Sequence, residues 1–92
     1  MDIHFEWDAR KAALNLRKHG VSFNEAKEIF FDNAARLLAD PDHSADEDRF
    51  VMLGMSRRAR LLVVCHCYRK SDDVIRIISA RRANQVERGQ YF

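Results

Sequence analysis

Arg60-Leu61-Leu62-Val63-Val64-Cys65-His66-Cys67-Tyr68-Arg69 is the stretch whose reading decides the fold. From Leu61 to Val64 it is apolar on both faces of an extended chain, which asks for a central strand with something covering each side. Beyond Val64 it alternates, so Cys65 and Cys67 share one face and His66 takes the other with Leu62, Val64 and Tyr68. Working outward, Arg57-Arg58-Ala59 reads as a hairpin turn from a strand over residues 49–56. Residues 70–73 turn the chain into a strand over residues 74–80, and residues 35–39 form an earlier one. At the front, residues 3–7 alternate weakly as a short strand. Asp8 is a good N-cap for a helix over residues 9–18, with Gly20 placed as its terminator. The apolar stripe of that helix is Ala9, Ala12, Ala13 and Leu16, while Lys11, Asn15 and Lys18 lie on another face. Ser22-Phe23-Asn24-Glu25 is a capping box for a second short helix burying Phe23, Ala26, Ile29 and Phe30. Asn84, with Glu87 three residues on, caps a C-terminal helix weakened by Gly89. The order β-α-α-β-β-β-β-α predicts an α+β fold with a mostly antiparallel sheet.

Ninety-two residues suit one domain spanning 1–92. With 47% apolar and 33% charged residues, one Pro and three Gly, the composition is neither disordered nor collagen-like. No apolar run approaches the roughly 18 residues of a membrane span, and the N-terminus lacks a signal-peptide core, so the expected location is the cytoplasm, away from membranes. The net charge of +2 hides a bias, since twelve of the sixteen basic residues are Arg, the side chain suited to bidentate phosphate or carboxylate contacts. Asp40, Asp42, Asp46, Glu47 and Asp48 form an acidic stretch with no base. From Ser56 to Arg82, eight bases face two acids. That polarity points to a polyanion or an acidic partner, and ordinary solvated strand ends are the plainer account.

Metal readings fail on chemistry. Asp40, Asp42, Ser44, Asp46 and Asp48 fall on odd positions of an EF-hand count, but Ala45 stands where the turn wants Gly and Val51 where a bidentate Glu is needed. Cys65-His66-Cys67 puts its imidazole opposite its thiols, with no second ligand pair at metal spacing. Two small buried thiols in a reducing compartment are expected, with no metal and no cofactor. His66 titrates in the range useful for proton transfer, and Arg76 converges on it if their two strands pair suitably. Arg-rich strand ends interleaved with Trp7, Phe50, Tyr68 and Tyr91 suit RNA, where phosphates meet guanidinium groups and unstacked bases meet rings.

Phe5-Glu6-Trp7-Asp8, Lys11, Asn15, Lys18-His19-Gly20-Val21-Ser22-Phe23, Asp40-Pro41-Asp42-His43, Gly54, Arg60-Leu61-Leu62-Val63-Val64, His66 and Arg76-Ile77-Ile78-Ser79-Ala80-Arg81-Arg82 together resemble the BrnT toxin family of bacterial type II toxin–antitoxin systems. Ala9 and Ala59 depart from it where Pro and Gly are frequent. The resemblance implies a RelE-like fold and a metal-independent endoribonuclease that inhibits translation. It also implies a BrnA-type ribbon-helix-helix antitoxin, with DNA reached only through that partner. Such a reaction needs fixed cations at the phosphate, and Arg76, Arg81, Arg60 and Lys11 are the expected catalytic ones, with Arg82 and Lys18 as further RNA contacts. Trp7 is placed to stack on a base. His66 and His19 are the candidates for proton transfer, His19 having a rival role as a cation at the helix C-terminus. A non-catalytic module binding RNA or a protein partner through the same basic face is the alternative.

Overall fold

The computed structural model describes residues 3–38, 49–69 and 73–92, so the acidic stretch that invites the calcium count lies outside the described residues. Along the chain run β1 (His4–Glu6), α1 (Ala9–His19), α2 (Phe23–Ala26), a 3-10 turn (Lys27–Phe31), β2 (Arg36–Leu38), β3 (Phe50–Met55), β4 (Leu61–Arg69), β5 (Val74–Arg82) and α3 (Gln85–Tyr91). The sheet order is β1-β5-β4-β3-β2, which puts β4 in the middle, as its doubly apolar first half requires. β1 runs parallel to β5, and the other pairings are antiparallel.

Leu62, Val64, Ile77 and Ala80 face Val21, Phe23, Ala26 and Ile29 from the helical layer. Each large side chain buried there contributes roughly 1.5–3 kcal/mol. On the opposite face Leu53, Leu61 and Val63 pack under Ala83 and the Tyr91 ring of α3. Gly54 makes the helical layer's approach possible, because a Cβ there would stand 2.8 Å from the Cβ of Ile29.

Four local expectations need correcting. The apolar stripe read for α1 is not its buried face: Leu16 is half exposed to solvent, and Asn15 is the buried residue of the helix. The capping box at α2 is half formed, since Ser22 Oγ accepts from the Glu25 N–H while the Glu25 carboxylate goes elsewhere. The two cysteines are half-buried rather than buried. Finally, Arg76 does not converge on His66. The register shifts between Cys65 and His66, so that Ile77 lies opposite His66 and Arg76 lies opposite Cys67, on the other face of the sheet.

Candidate functional site

β1 pairs with β5 only over residues 74–76, which leaves the far half of β5 as an open edge. An open edge carries unpaired N–H and C=O groups that must find partners when buried. Asn15 supplies them. Its Nδ2 donates to the Ala80 carbonyl at 2.8 Å and its Oδ1 accepts from the Ala80 N–H at 3.1 Å, imitating one rung of a β-ladder. Nδ2 also donates to the Val21 carbonyl at 3.0 Å, closing the chain behind the helix. This amide is why α1 turns Asn15 inward. The helix is anchored at both ends, by the Asp8 carboxylate accepting from Arg10 and Lys11 and by Gly20 at φ 69°.

With Asn15 pinned, Lys11 and Lys18, four residues before it and three after, stand along the same seam between α1 and β5. They line a shallow open cleft of about 240 Å³ with Leu14, His19, Ile78 and Ser79. Among the described residues neither ammonium has a hydrogen bond or ion pair. Ser79 is exposed and His19 half-buried. At the start of the helix, Asp8 is held below its ordinary pKa by the N–H groups of Lys11 and Arg10, aided by the charges of Lys11 and Arg76. Arg76 is therefore in electrostatic reach of Asp8 at the start of α1. Its Nη1 donates to the Glu6 carboxylate at 2.8 Å across the β1–β5 pairing, and Arg69 joins the same carboxylate at 3.5 Å.

The other expected site residues sit elsewhere. Arg60, just past the β3–β4 turn, grips buried Glu25 through both its Nε, at 2.9 Å, and its Nη2, which also donates to the Gly20 carbonyl at 3.1 Å. Ser56 Oγ donates to the same carboxylate at 2.8 Å. The Arg60 hydrogen bonds lower the pKa of Glu25 against the opposing effect of its burial. Arg81 is five residues, or about 16 Å, further along β5 than Arg76. Both its Nη atoms are held by Glu87 of α3, at 2.8 and 2.7 Å. Arg82 is exposed, opposite Leu62 at the end of β5. Trp7 is half-buried, its ring edge-on to Phe23 at 5.9 Å. His66 is fully buried in a box made by Phe30, Phe50 and Tyr68, at ring distances of 4.8, 6.0 and 5.3 Å. Its Nδ1 lies 3.3 Å from the Val64 carbonyl, its Nε2 has no partner among the described residues, and burial lowers its pKa.

The structure thus gathers Lys11, Lys18 and His19 at one cleft, and leaves Arg76, Arg60, Arg81 and His66 outside its lining. Sequence reasoning missed Ser79 and Glu6 as neighbours of these cations, and missed Glu25 and Glu87 as the carboxylates that occupy Arg60 and Arg81. The one available signal was Glu87, whose capping position fixes it six residues from Arg81.

Comparison with known proteins agrees with this architecture. Among curated proteins nothing matches the chain. Its fold is similar to the crystal structure of the Brucella abortus ribonuclease toxin, BrnT, with a TM-score of 0.66 at 23% identity, the match covering 92% of this chain and 99% of that one. Over residues 7–87 the chain matches the family described as "Ribonuclease toxin, BrnT, of type II toxin-antitoxin system". The chain belongs to the BrnT family of ribonuclease toxins of type II toxin–antitoxin systems.

Proposed function

We propose that residues 1–92 act as one RelE-like toxin domain, a metal-independent endoribonuclease that cleaves RNA in the cytoplasm and inhibits translation. A BrnA-type ribbon-helix-helix antitoxin neutralises it, and DNA is reached only through that antitoxin. The observation that carries this reading is the pair of ammonium groups, Lys11 and Lys18, on the walls of an open cleft, neither of them bonded among the described residues. Fixed cations at an open cleft can bind a phosphodiester and stabilise the extra negative charge of its transition state. Trp7 and Arg82 serve as flanking RNA contacts. Arg60 and Arg81 meet a phosphate either with the N–H groups that Glu25 and Glu87 leave free or by exchanging those carboxylates for it, and His66 reaches one only if its aromatic box opens.

That engagement of Arg60 and Arg81 favours a second reading, in which the cationic face binds RNA or an acidic partner without cutting. Purified protein incubated with RNA in EDTA separates the cases. Persistent cleavage is the expected result. Cleavage only after a divalent ion is added overturns metal independence, and tight binding without cleavage establishes the second reading.

A further inference from the structure

The geometry points to His19 as the general acid of RNA cleavage, the group that gives a proton to the departing 5′-oxygen. The inference rests on the ribonuclease reading and assigns the proton transfer that phosphate binding by the cations leaves open. An Arg guanidinium does not release its proton, and near neutral pH an imidazolium gives one up more readily than an ammonium does. Leaving-group protonation calls for an imidazole within reach of the scissile phosphate.

Three observations single out His19. It lines the same cleft as Lys11, Lys18 and Ser79, so a phosphate held by the two ammonium groups lies beside its ring. The ring has no hydrogen-bond partner among the described residues, leaving both nitrogens open to substrate. Among the described residues the other histidines are badly placed, since His66 is sealed in its aromatic box and His4 belongs to β1, away from the cleft lining. The position is also fixed from behind, because the next residue, Gly20, takes the left-handed conformation and its N–H donates to the Leu16 carbonyl.

The 2′-oxygen bonds to phosphorus and its proton passes to water at the open mouth of the cleft. The P–O5′ bond breaks with its electron pair going to O5′, which takes a proton from the His19 imidazolium. The products are a 2′,3′-cyclic phosphate and a 5′-hydroxyl, and the imidazole regains a proton from solvent.

The test compares an RNA oligonucleotide with the same oligonucleotide carrying sulfur in place of the 5′-oxygen at the linkage the wild type cleaves. A thiolate leaves without protonation, so it bypasses a general acid. His19→Gln is expected to cleave the oxygen substrate about 10²–10³-fold more slowly than wild type and the sulfur substrate within about threefold of it. His19→Arg, which keeps a cation at the C-terminus of α1 but cannot donate a proton, is expected to behave like His19→Gln. Rescue of the sulfur substrate also certifies that the variant is folded. Equal loss on both substrates with unchanged thermal unfolding, no loss on RNA, or recovery of RNA cleavage in His19→Arg each overturns the assignment. A wild type inert toward both substrates overturns the ribonuclease reading itself, and the assignment falls with it.

Discussion

Two groups of cations share this sheet, and they differ in what stands opposite them. Along the seam of α1 and β5, Lys11 and Lys18 line an open cleft and neither ammonium makes an ion pair among the described residues, although the charge of Lys11 is felt by Asp8 at the start of the helix. At the β3–β4 turn and under α3, Arg60 and Arg81 are each held in a two-point grip by a glutamate from another element. The first group is available to a polyanion. The second ties secondary structure together, with Arg60 linking the turn to α2 and to the end of α1, and Arg81 linking β5 to α3. Positive charge near a strand end is thus no guide to function until its partner is known.

The largest effect that can break this contrast is expected at Arg60. Arg60→Ala leaves Glu25 buried beside Ser56 without its main counter-charge, and removing one partner of a buried pair costs about 3 kcal/mol. Denaturant unfolding measures it. The pH dependence has a definite sign: the folded pKa of Glu25 is depressed, so the pair's contribution is present above the ordinary carboxylate range and lost as pH falls through the folded value. A variant that stays as stable as wild type but stops cleaving RNA moves Arg60 into the active group.

Lys11→Ala and Lys18→Ala should do the reverse. Each is expected to slow RNA cleavage about 10²-fold, on the scale of losing one transition-state donor, with thermal unfolding unchanged because neither ammonium has a hydrogen bond or ion pair among the described residues. Wild-type rates in both variants, at equal soluble yield, would remove the cleft from the reaction.

The contrast also marks what could be read from the sequence. The central place of β4 followed from Leu61–Leu62–Val63–Val64, because an apolar run on both faces has no other stable position in a sheet. Helix ends followed from Asp8, Gly20 and Asn84, whose side chains or backbone freedom act within a few residues. The site was less legible because its decisive contacts are non-local. Glu25 meets Arg60 across 35 residues and Asn15 meets Ala80 across 65. The amide of Asn15 looked like a surface residue of a helix, and only the uncovered edge of β5 explains why it is buried. The shift between Cys65 and His66, which sends Arg76 and His66 to opposite faces, likewise leaves no mark in the alternation of a single strand.

His66 sharpens the contrast from inside the core. Burial lowers its folded pKa below the ordinary 6.5, so in acid the unfolded chain binds a proton that the folded chain refuses. Stability should therefore fall as pH drops below about 6.5, by at most about 1.4 kcal/mol per pH unit, until the folded pKa is reached. His66→Phe, which keeps a ring against Phe30 and leaves no Nε2 unpaired, is expected to flatten that slope and retain RNA cleavage. Loss of cleavage in a stable His66→Phe protein would place the imidazole in the reaction.

The smallest expected effect belongs to Ala59, in the turn that carries Arg57, Arg58 and Arg60. Ala59 sits at φ 61°, a left-handed conformation that costs an L-residue with a Cβ about 1–2 kcal/mol. Its N–H donates to the Ser56 carbonyl at 3.0 Å, and the Ser56 N–H donates to the Arg60 carbonyl at 2.9 Å, so the turn is fixed by its own backbone. Ala59→Gly removes the left-handed strain but frees the unfolded chain, which takes back about 0.4–1 kcal/mol. The net gain is about 0.5 kcal/mol, read as a rise of a few degrees in the unfolding temperature. Because the turn belongs to the group of cations that ties elements together, RNA cleavage should stay at the wild-type rate while stability rises. A cleavage rate that moves with this substitution, in either direction, would mean that the β3–β4 turn takes part in handling the substrate and that the division between the two groups of cations is drawn in the wrong place.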